Sequence, residues 1–404
     1  MVTRKMQGLR LVVSSVLAIT LWALTVTIVL AQEGPKGAPQ PPAHKVKGKH
    51  LQTLKAFDNP EAAIFSADGR FVFVSNSAEL GMKDKGFHFT EKAGFISKLA
   101  VQSDGTLQMV NAKLLTGLTA PLGMAVNPVA TRTFPKGAIF LCAATLPLAD
   151  ATGNAIKDPE RLTAKIVAFD IDGKILGEIP LGAGSVLAKI SGAPATLPNA
   201  AGFDKDGNFY VADTGIGGAT VEPKLDTRPG IFMIPNNALD DLSAGKTPTT
   251  APLFISMPGA PDGVDVSPID GTIHVNTVGR AASVDDPDRG GMWKLTKDDF
   301  KAGRLPKAFS SGWGALDGLA FTTTGTRFDT QILGSNYITV VAPGSDNVLS
   351  LEITGLDRDL AGAADIAIYT RPDGTSLLII PELSALTPNN NDNPVDVVLL
   401  PQGL

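Results

Sequence analysis

The chain of 404 residues has one cysteine, Cys142. No intramolecular disulfide can form, so stability rests on the core. Cys142 sits in the apolar run Ile139-Phe140-Leu141-Cys142 and reads as a buried strand residue, not a reactive thiol. Histidine is also scarce: His44, His50, His88 and His274 form no spaced pair, which leaves zinc without a ligand set. His274 alternates within a strand pattern and reads as packed. His88 falls in an insertion and reads as a loop residue. No basic stripe appears and the net charge is −5, so nucleic acid is excluded as a partner. Long helical periods are missing; only residues 236–244 and 297–302 read as short helices. That absence disfavours a doubly wound α/β fold.

What is present is glycine (42), proline (29) and 44% apolar residues, a composition for short strands joined by turns around a sizeable core. The N-terminus carries Arg4, Lys5 and Arg10 before an apolar run from Leu11 to Leu30, with Val29-Leu30-Ala31 as a cleavage site. Residues 1–31 therefore read as a signal peptide, or as an N-terminal anchor if uncleaved. The expected location is periplasmic or secreted, with membrane contact only through an uncleaved segment. Residues 32–47 read as a Pro/Gly-rich linker and residues 48–404 as one folded unit.

That unit repeats. A small residue or proline, a polar residue, small and apolar residues, a glycine turn and an apolar strand recur at Asn59-Pro60-Glu61, Leu197-Pro198-Asn199, Ala260-Pro261-Asp262, Ala315-Leu316-Asp317 and Ala363-Ala364-Asp365. A degenerate sixth copy is Ala120-Pro121-Leu122. A glycine follows eight or nine residues after each polar residue, mostly as Asp-Gly: Gly69, Gly207, Gly271, Gly325 and Gly374. Asp-Gly signals a tight hairpin. Third strands follow, as at Lys165-Ile166-Val167-Ala168-Phe169, and fourth strands in several copies. The pattern predicts an all-β, six-bladed β-propeller with four-stranded antiparallel blades. The last copy has three strands of its own, so an N-terminal strand at residues 51–55 is expected to close its blade and remove a raw edge.

The first strand of a blade lies nearest the axis, so the repeated polar position converges on one mouth. It reads Glu61, Leu122, Asn199, Asp262, Asp317 and Asp365. Any single aspartate there also suits a turn. In phase, these carboxylates repel unless protonated or neutralised by a cation, and oxygen-only donors favour Ca²⁺. Asp317 and Asp365 are expected to line the channel.

These motifs resemble the SMP-30/gluconolactonase-like calcium-dependent propellers, related to diisopropylfluorophosphatase-like and paraoxonase-like hydrolases. Asn59-Pro60-Glu61 is similar to that family's Glu motif. Leu197-Pro198-Asn199, followed by Asp206-Gly207 and Tyr210-Val211-Ala212-Asp213, is similar to its Asn motif, and Pro261-Asp262-Gly263 to its Asp motif. The resemblance implies Glu61, Asn199 and Asp262 as metal ligands, Asp262 also as catalytic base, and a lactone or ester as the small-molecule substrate. Leu122 departs from it, standing where the family commonly places a polar residue. The alternative is a non-catalytic propeller that binds a small ligand or a protein in the cell envelope. A strictosidine-synthase-like condensing enzyme finds no distinctive residue.

Overall fold

The computed structural model describes residues 42–78, 88–143, 148–150, 152–158, 163–218, 222–279, 290–333, 337–383 and 393–404. The expected signal segment and most of the linker lie outside them. Among the described residues no helix is long and apolar enough to cross a membrane.

The fold is a β-propeller of antiparallel four-stranded units. The first comprises Pro60–Phe65, Phe71–Asn76, Gly94–Val101 and Leu107–Leu118, from the axis outward. The second comprises Pro121–Val126, Ile139–Ala143, Lys165–Phe169 and Ile175–Pro180. The third runs through Pro198–Phe203, Phe209–Asp213, Gly230–Ile234 and Leu253–Ser256. The fourth runs through Pro261–Val266, Ile273–Thr277, Gly291–Leu295 and the two-residue Ser310–Ser311. The fifth is Ala315–Phe321, Arg327–Leu333, Thr339–Val341 and Val348–Thr354. Ala367–Thr370, Ser376–Pro381 and Val395–Leu400 make the sixth, completed by Lys45–Leu54.

Each inner strand touches the next, and the sixth touches the first, so the ring closes. The N-terminal strand is the expected clasp, with an addition. From Lys49 to Leu54 it pairs antiparallel with Val395–Leu400, but from Lys45 to Lys49 it pairs parallel with Val348–Thr354 of the fifth unit. It therefore begins inside the segment read as linker. It also welds two units together: the hydrogen-bonded sheets are four of four strands and one of eight, not six separate ones. A two-stranded parallel pair, Phe89–Thr90 with Leu148–Ala149, links insertions of the first two units.

The core lies between units. Phe140, Phe203 and Phe209 stack where the second unit meets the third. Cys142 is fully buried in its strand, as expected. The turn glycines Gly69 and Gly207 take φ of 69° and 82°, the left-handed conformation that Asp-Gly hairpins require. Both short helices form where expected, Lys297–Ala302 with a Thr296/Asp299 capping box. A third helix, Val186–Ser191, was not expected. Ser185 caps its N-terminus through the Ala188 N–H.

Candidate functional site

Glu61, Leu122, Asn199, Asp262 and Asp317 share a backbone feature that the sequence pattern does not name. In each of the first five units the register between first and second strand breaks at this residue: between Pro60 and Ala62, Pro121 and Met124, Pro198 and Ala201, Pro261 and Val264, and Leu316 and Leu319. A bulge re-aims a side chain that would otherwise alternate into the blade. Here it recurs at one level of five units, at the N-terminal ends of the inner strands, which we call the upper mouth. Three of these strands follow a non-glycine residue with positive φ: Asn59 (49°), Ala120 (43°) and Ala260 (55°). Each such residue costs about 1–3 kcal/mol, so the surrounding structure must hold it.

The bulges free backbone groups, and second-strand side chains satisfy them. Ser75 Oγ accepts the Ala62 N–H at 2.9 Å. Asn276 Nδ2 donates to the carbonyls of Asp317 and Gly318. Thr330 Oγ1 donates to the Gly318 and Ala364 carbonyls. Asp213 accepts the Thr196 and Leu197 N–H groups and so holds the loop that delivers Asn199. In the sixth unit the Asp365 N–H donates to the Glu61 carbonyl and the Asp365 carbonyl accepts from Ala63, which joins the last inner strand to the first.

Small residues after the bulges allow close approach. A Cβ on Gly318 would collide with Asp365, and one on Gly263 with the Asp317 carbonyl. A Cβ on Gly123 would stand 3.0 Å from Asp365 Oδ2 and 2.5 Å from the Asn199 carbonyl. Asp365 thus lies close to the second, third and fifth units as well as the first.

Four carboxylates are buried in this ring: Glu61, Asp262, Asp317 and Asp365. Burial is the main cause that raises all four. Asp317 is pushed up to about 7. Glu61 is raised well above the usual range by burial and then by Asp317, Asp365 and Asp262. Asp262 is raised by burial, Asp317 and Asp365, and Asp365 by burial, Asp317 and Asp265. No lysine or arginine is among these influences. Asn199 is half-buried, and its Nδ2 donates to Asp262 Oδ1 in a short contact.

Among the described residues, four buried side-chain polar atoms lack any hydrogen-bond partner: Glu61 Oε2, Thr196 Oγ1, and both amide atoms of Gln331. All belong to the upper end of the fold. Thr196 stands two residues before the third inner strand, and Gln331 pairs in register with Leu316. Sequence reasoning found Glu61 and missed the other two. Both lie outside the repeated position, and only their place beside the motif could have marked them. Leu122 is buried and apolar in the same tier. Among the described residues no three His, Cys, Asp or Glu side chains group as a metal cluster. A cation here would need the Asn199 amide beside Glu61 and Asp262.

His274 is buried away from this ring. Burial, then Arg327 and Lys294, hold it down to about 2. Its Nδ1 lies 2.9 Å from Arg327 Nη1 and so accepts, which makes the imidazole neutral and structural. His88 is buried beside the insertion strand Phe89–Thr90.

No protein-family model and no curated protein matches the chain. Solved structures do. A gluconolactonase from Xanthomonas campestris aligns over 90% of this chain and 98% of its own, at 14% identity and a TM-score of 0.50. The major Malassezia sympodialis allergen Mala s 1 aligns over 85% and 94%, at 12% identity and a TM-score of 0.52. At such identities the likeness is one of fold.

Proposed function

We propose that the upper mouth is a hydrolytic site for a lactone or ester in an exported protein, with Glu61, Asn199 and Asp262 holding one divalent cation. The observation that carries this reading is the buried Glu61 Oε2, which has no hydrogen-bond partner among the described residues and stands in a ring of carboxylates on which no described lysine or arginine acts. Such an arrangement is costly empty and suits a cation. The donors are oxygens and no sulfur or imidazole joins them, which favours calcium. When bound, such a cation polarises an acyl carbonyl and makes water more acidic. The fold likeness to a gluconolactonase agrees with this chemistry.

The chain's own residues supply the rest. In this reading Asp262, buried and raised, acts in its ionised form as the base that takes a proton from water. The contact from Asn199 orients its carboxylate. Asp317 and Asp365 form the inner wall, and in their ionised forms they disfavour anionic substrates and suit a neutral ester or lactone. The Thr196 hydroxyl and Gln331 amide, buried without hydrogen-bond partners, flank this site from the third and fifth units.

Leu122 favours a second reading, a cation-stabilised propeller that binds a ligand without turning it over. One experiment separates them. Full-length protein with calcium is assayed on a panel of lactones and aryl esters, beside Asp262→Asn. The hydrolase reading expects turnover that falls by roughly two to four orders of magnitude in the variant, as for loss of a general base. Calcium binding with no turnover across the panel leaves only the second reading. Turnover that survives both Asp262→Asn and chelation rejects the mechanism.

A further inference from the structure

Below the ring the channel widens into a cavity of about 620 Å³ that opens at the opposite, lower mouth. It is walled by the second halves of all six inner strands. Three residues after each ring position the tier reads Ile64, Ala125, Gly202, Asp265, Ala320 and Ile368, and all six line the cavity. Five are apolar or small. Asp265 is the one charge. Its Oδ1 accepts the N–H of its neighbour Val266 at 2.8 Å, and Oδ2 takes no hydrogen bond among the described residues. Arg327 is the cation that acts on it, yet burial still pushes Asp265 up to about 7.

The other charged groups on the wall have different places. Asp365 lies at the ceiling, shared with the ring. Asp204 is tied to Lys297 at 2.8 Å, Asp270 bonds its own turn through Thr272, and Lys205 is exposed at the rim. Phe203, Phe321 and Tyr369 are half-buried and add aromatic surface.

We propose that this lower funnel is a second ligand site, independent of the hydrolytic reading, for an organic ammonium ion with an apolar body. The ammonium group meets Asp265 and the body lies on Ile64, Ile368 and the aromatic rim. The volume falls in the range of small-molecule sites, which are mostly apolar with a few placed polar groups. A neutral ligand would cover the carboxylate and leave it unpaired, at a cost. An anion would be repelled by Asp265 in its ionised form. A divalent metal seeks about six to eight oxygens, and this tier offers one side-chain carboxylate. Aromatic faces add attraction for a cation that an alkyl wall lacks.

The test uses the full-length protein with calcium in excess, so that the upper ring is filled. 2-Phenylethylammonium and its neutral counterpart 2-phenylethanol are titrated calorimetrically. The ammonium ion should bind saturably at one site. The alcohol should bind roughly ten- to a hundredfold more weakly, the loss of one charged contact. Asp265→Asn should weaken the ammonium ion by a similar factor and leave the alcohol unchanged. Ala320→Phe should block both by filling the funnel. No saturable ammonium binding, equal binding of the alcohol, indifference to Asp265→Asn, or displacement of the ammonium ion by calcium each overturns the proposal. If Asp265→Asn does not fold, the wild-type methyl resonances of Ile64 and Ile368 decide: they must shift with the ammonium ion and much less with the alcohol.

Discussion

Two sets of buried charge sit a few residues apart in this molecule and are treated in opposite ways. Between the fourth and fifth units Arg327 is buried to 1% exposure and fully engaged: Nε donates to Asp329 Oδ1 at 2.6 Å, Nη2 donates to Asn276 Oδ1, and Nη1 faces His274. At the ring's sixth unit Arg358 likewise bridges Glu382 at 2.6 Å and Asp396 at 2.5 Å, and Thr53 of the N-terminal strand donates to the same Asp396. In both networks each buried carboxylate, Asp329, Glu382 or Asp396, meets an arginine. At the axis no arginine or lysine among the described residues acts on the four carboxylates. Glu61, Asp262, Asp317 and Asp365 are left with burial and one another. That contrast separates carboxylates that hold blades together from the carboxylates proposed above to hold a cation.

The largest expected effect breaks the structural set. Arg327→Ala strands Asp329 in a fully buried place and removes a donor from Asn276, whose own amide holds the bulge carrying Asp317. Loss of one partner of such a pair costs about 3–5 kcal/mol. Urea unfolding should show a loss of that size, and calcium should not restore it. A loss below about 1 kcal/mol, the range of a surface pair, would mean the network is incidental.

Much of this was legible in the sequence. The six repeats, the Asp-Gly turns, the closing strand and the convergence of Glu61, Asn199, Asp262, Asp317 and Asp365 follow from periodicity, because inner strands are buried on both faces and tolerate polar residues only for cause. The remainder depends on non-local pairing. That Lys45–Lys49 also pairs with the fifth unit has no local signal, since a parallel partner some 300 residues away leaves no turn to read. The Arg327 and Arg358 networks join residues from different repeats, so each residue looks like an ordinary polar position in its own strand. Gln331 and Thr196 flank the motif without repeating, and a repeat search passes over them. The bulges were visible only as a small residue after each polar one. That pattern suits a turn as well as a bulge.

The next effect tests the axial set. Calcium should stabilise the wild-type chain by about 2.7 kcal/mol at a hundredfold excess over its Kd, by mass action. Glu61→Gln and Asp262→Asn should each shrink that gain, read as the calcium-dependent change in Tm. Asp365→Asn should shrink it less if Asp365 is wall and not ligand. Without calcium the same substitutions should leave Tm level or raise it, because each removes a repelling buried carboxyl. Arg327→Ala does the reverse, lowering Tm in both conditions. A calcium gain that is intact in Glu61→Gln and Asp262→Asn would place the cation elsewhere.

The smallest effect is the sharpest on sign. Asp317 is pushed up to about 7 in the fold, and Glu61, Asp262 and Asp365 are raised with it. Between the ordinary carboxylate range near 4 and about 7, the folded ring therefore holds more protons than the unfolded chain. Stability supplied by the neutral ring is full below that window and is lost as pH rises through it. In chelator the free energy of unfolding should thus decline from pH 5 to pH 8. Asp213, Asp265 and Glu382, raised to about 6, about 7 and about 7, contribute a decline of the same sign, and His274, held down to about 2, contributes a rise up to the unfolded histidine range, so the slope alone does not isolate the axis. Calcium does. A bound cation favours the ionised carboxylates and lowers their protonation, while Asp213, Asp265, His274 and Glu382 lie outside the proposed ligand set and keep their slope. The gap between the calcium and chelator curves should therefore widen with rising pH, and Glu61→Gln should narrow it. Parallel curves from pH 5 to pH 8 would show that calcium does not meet the raised carboxylates of the ring.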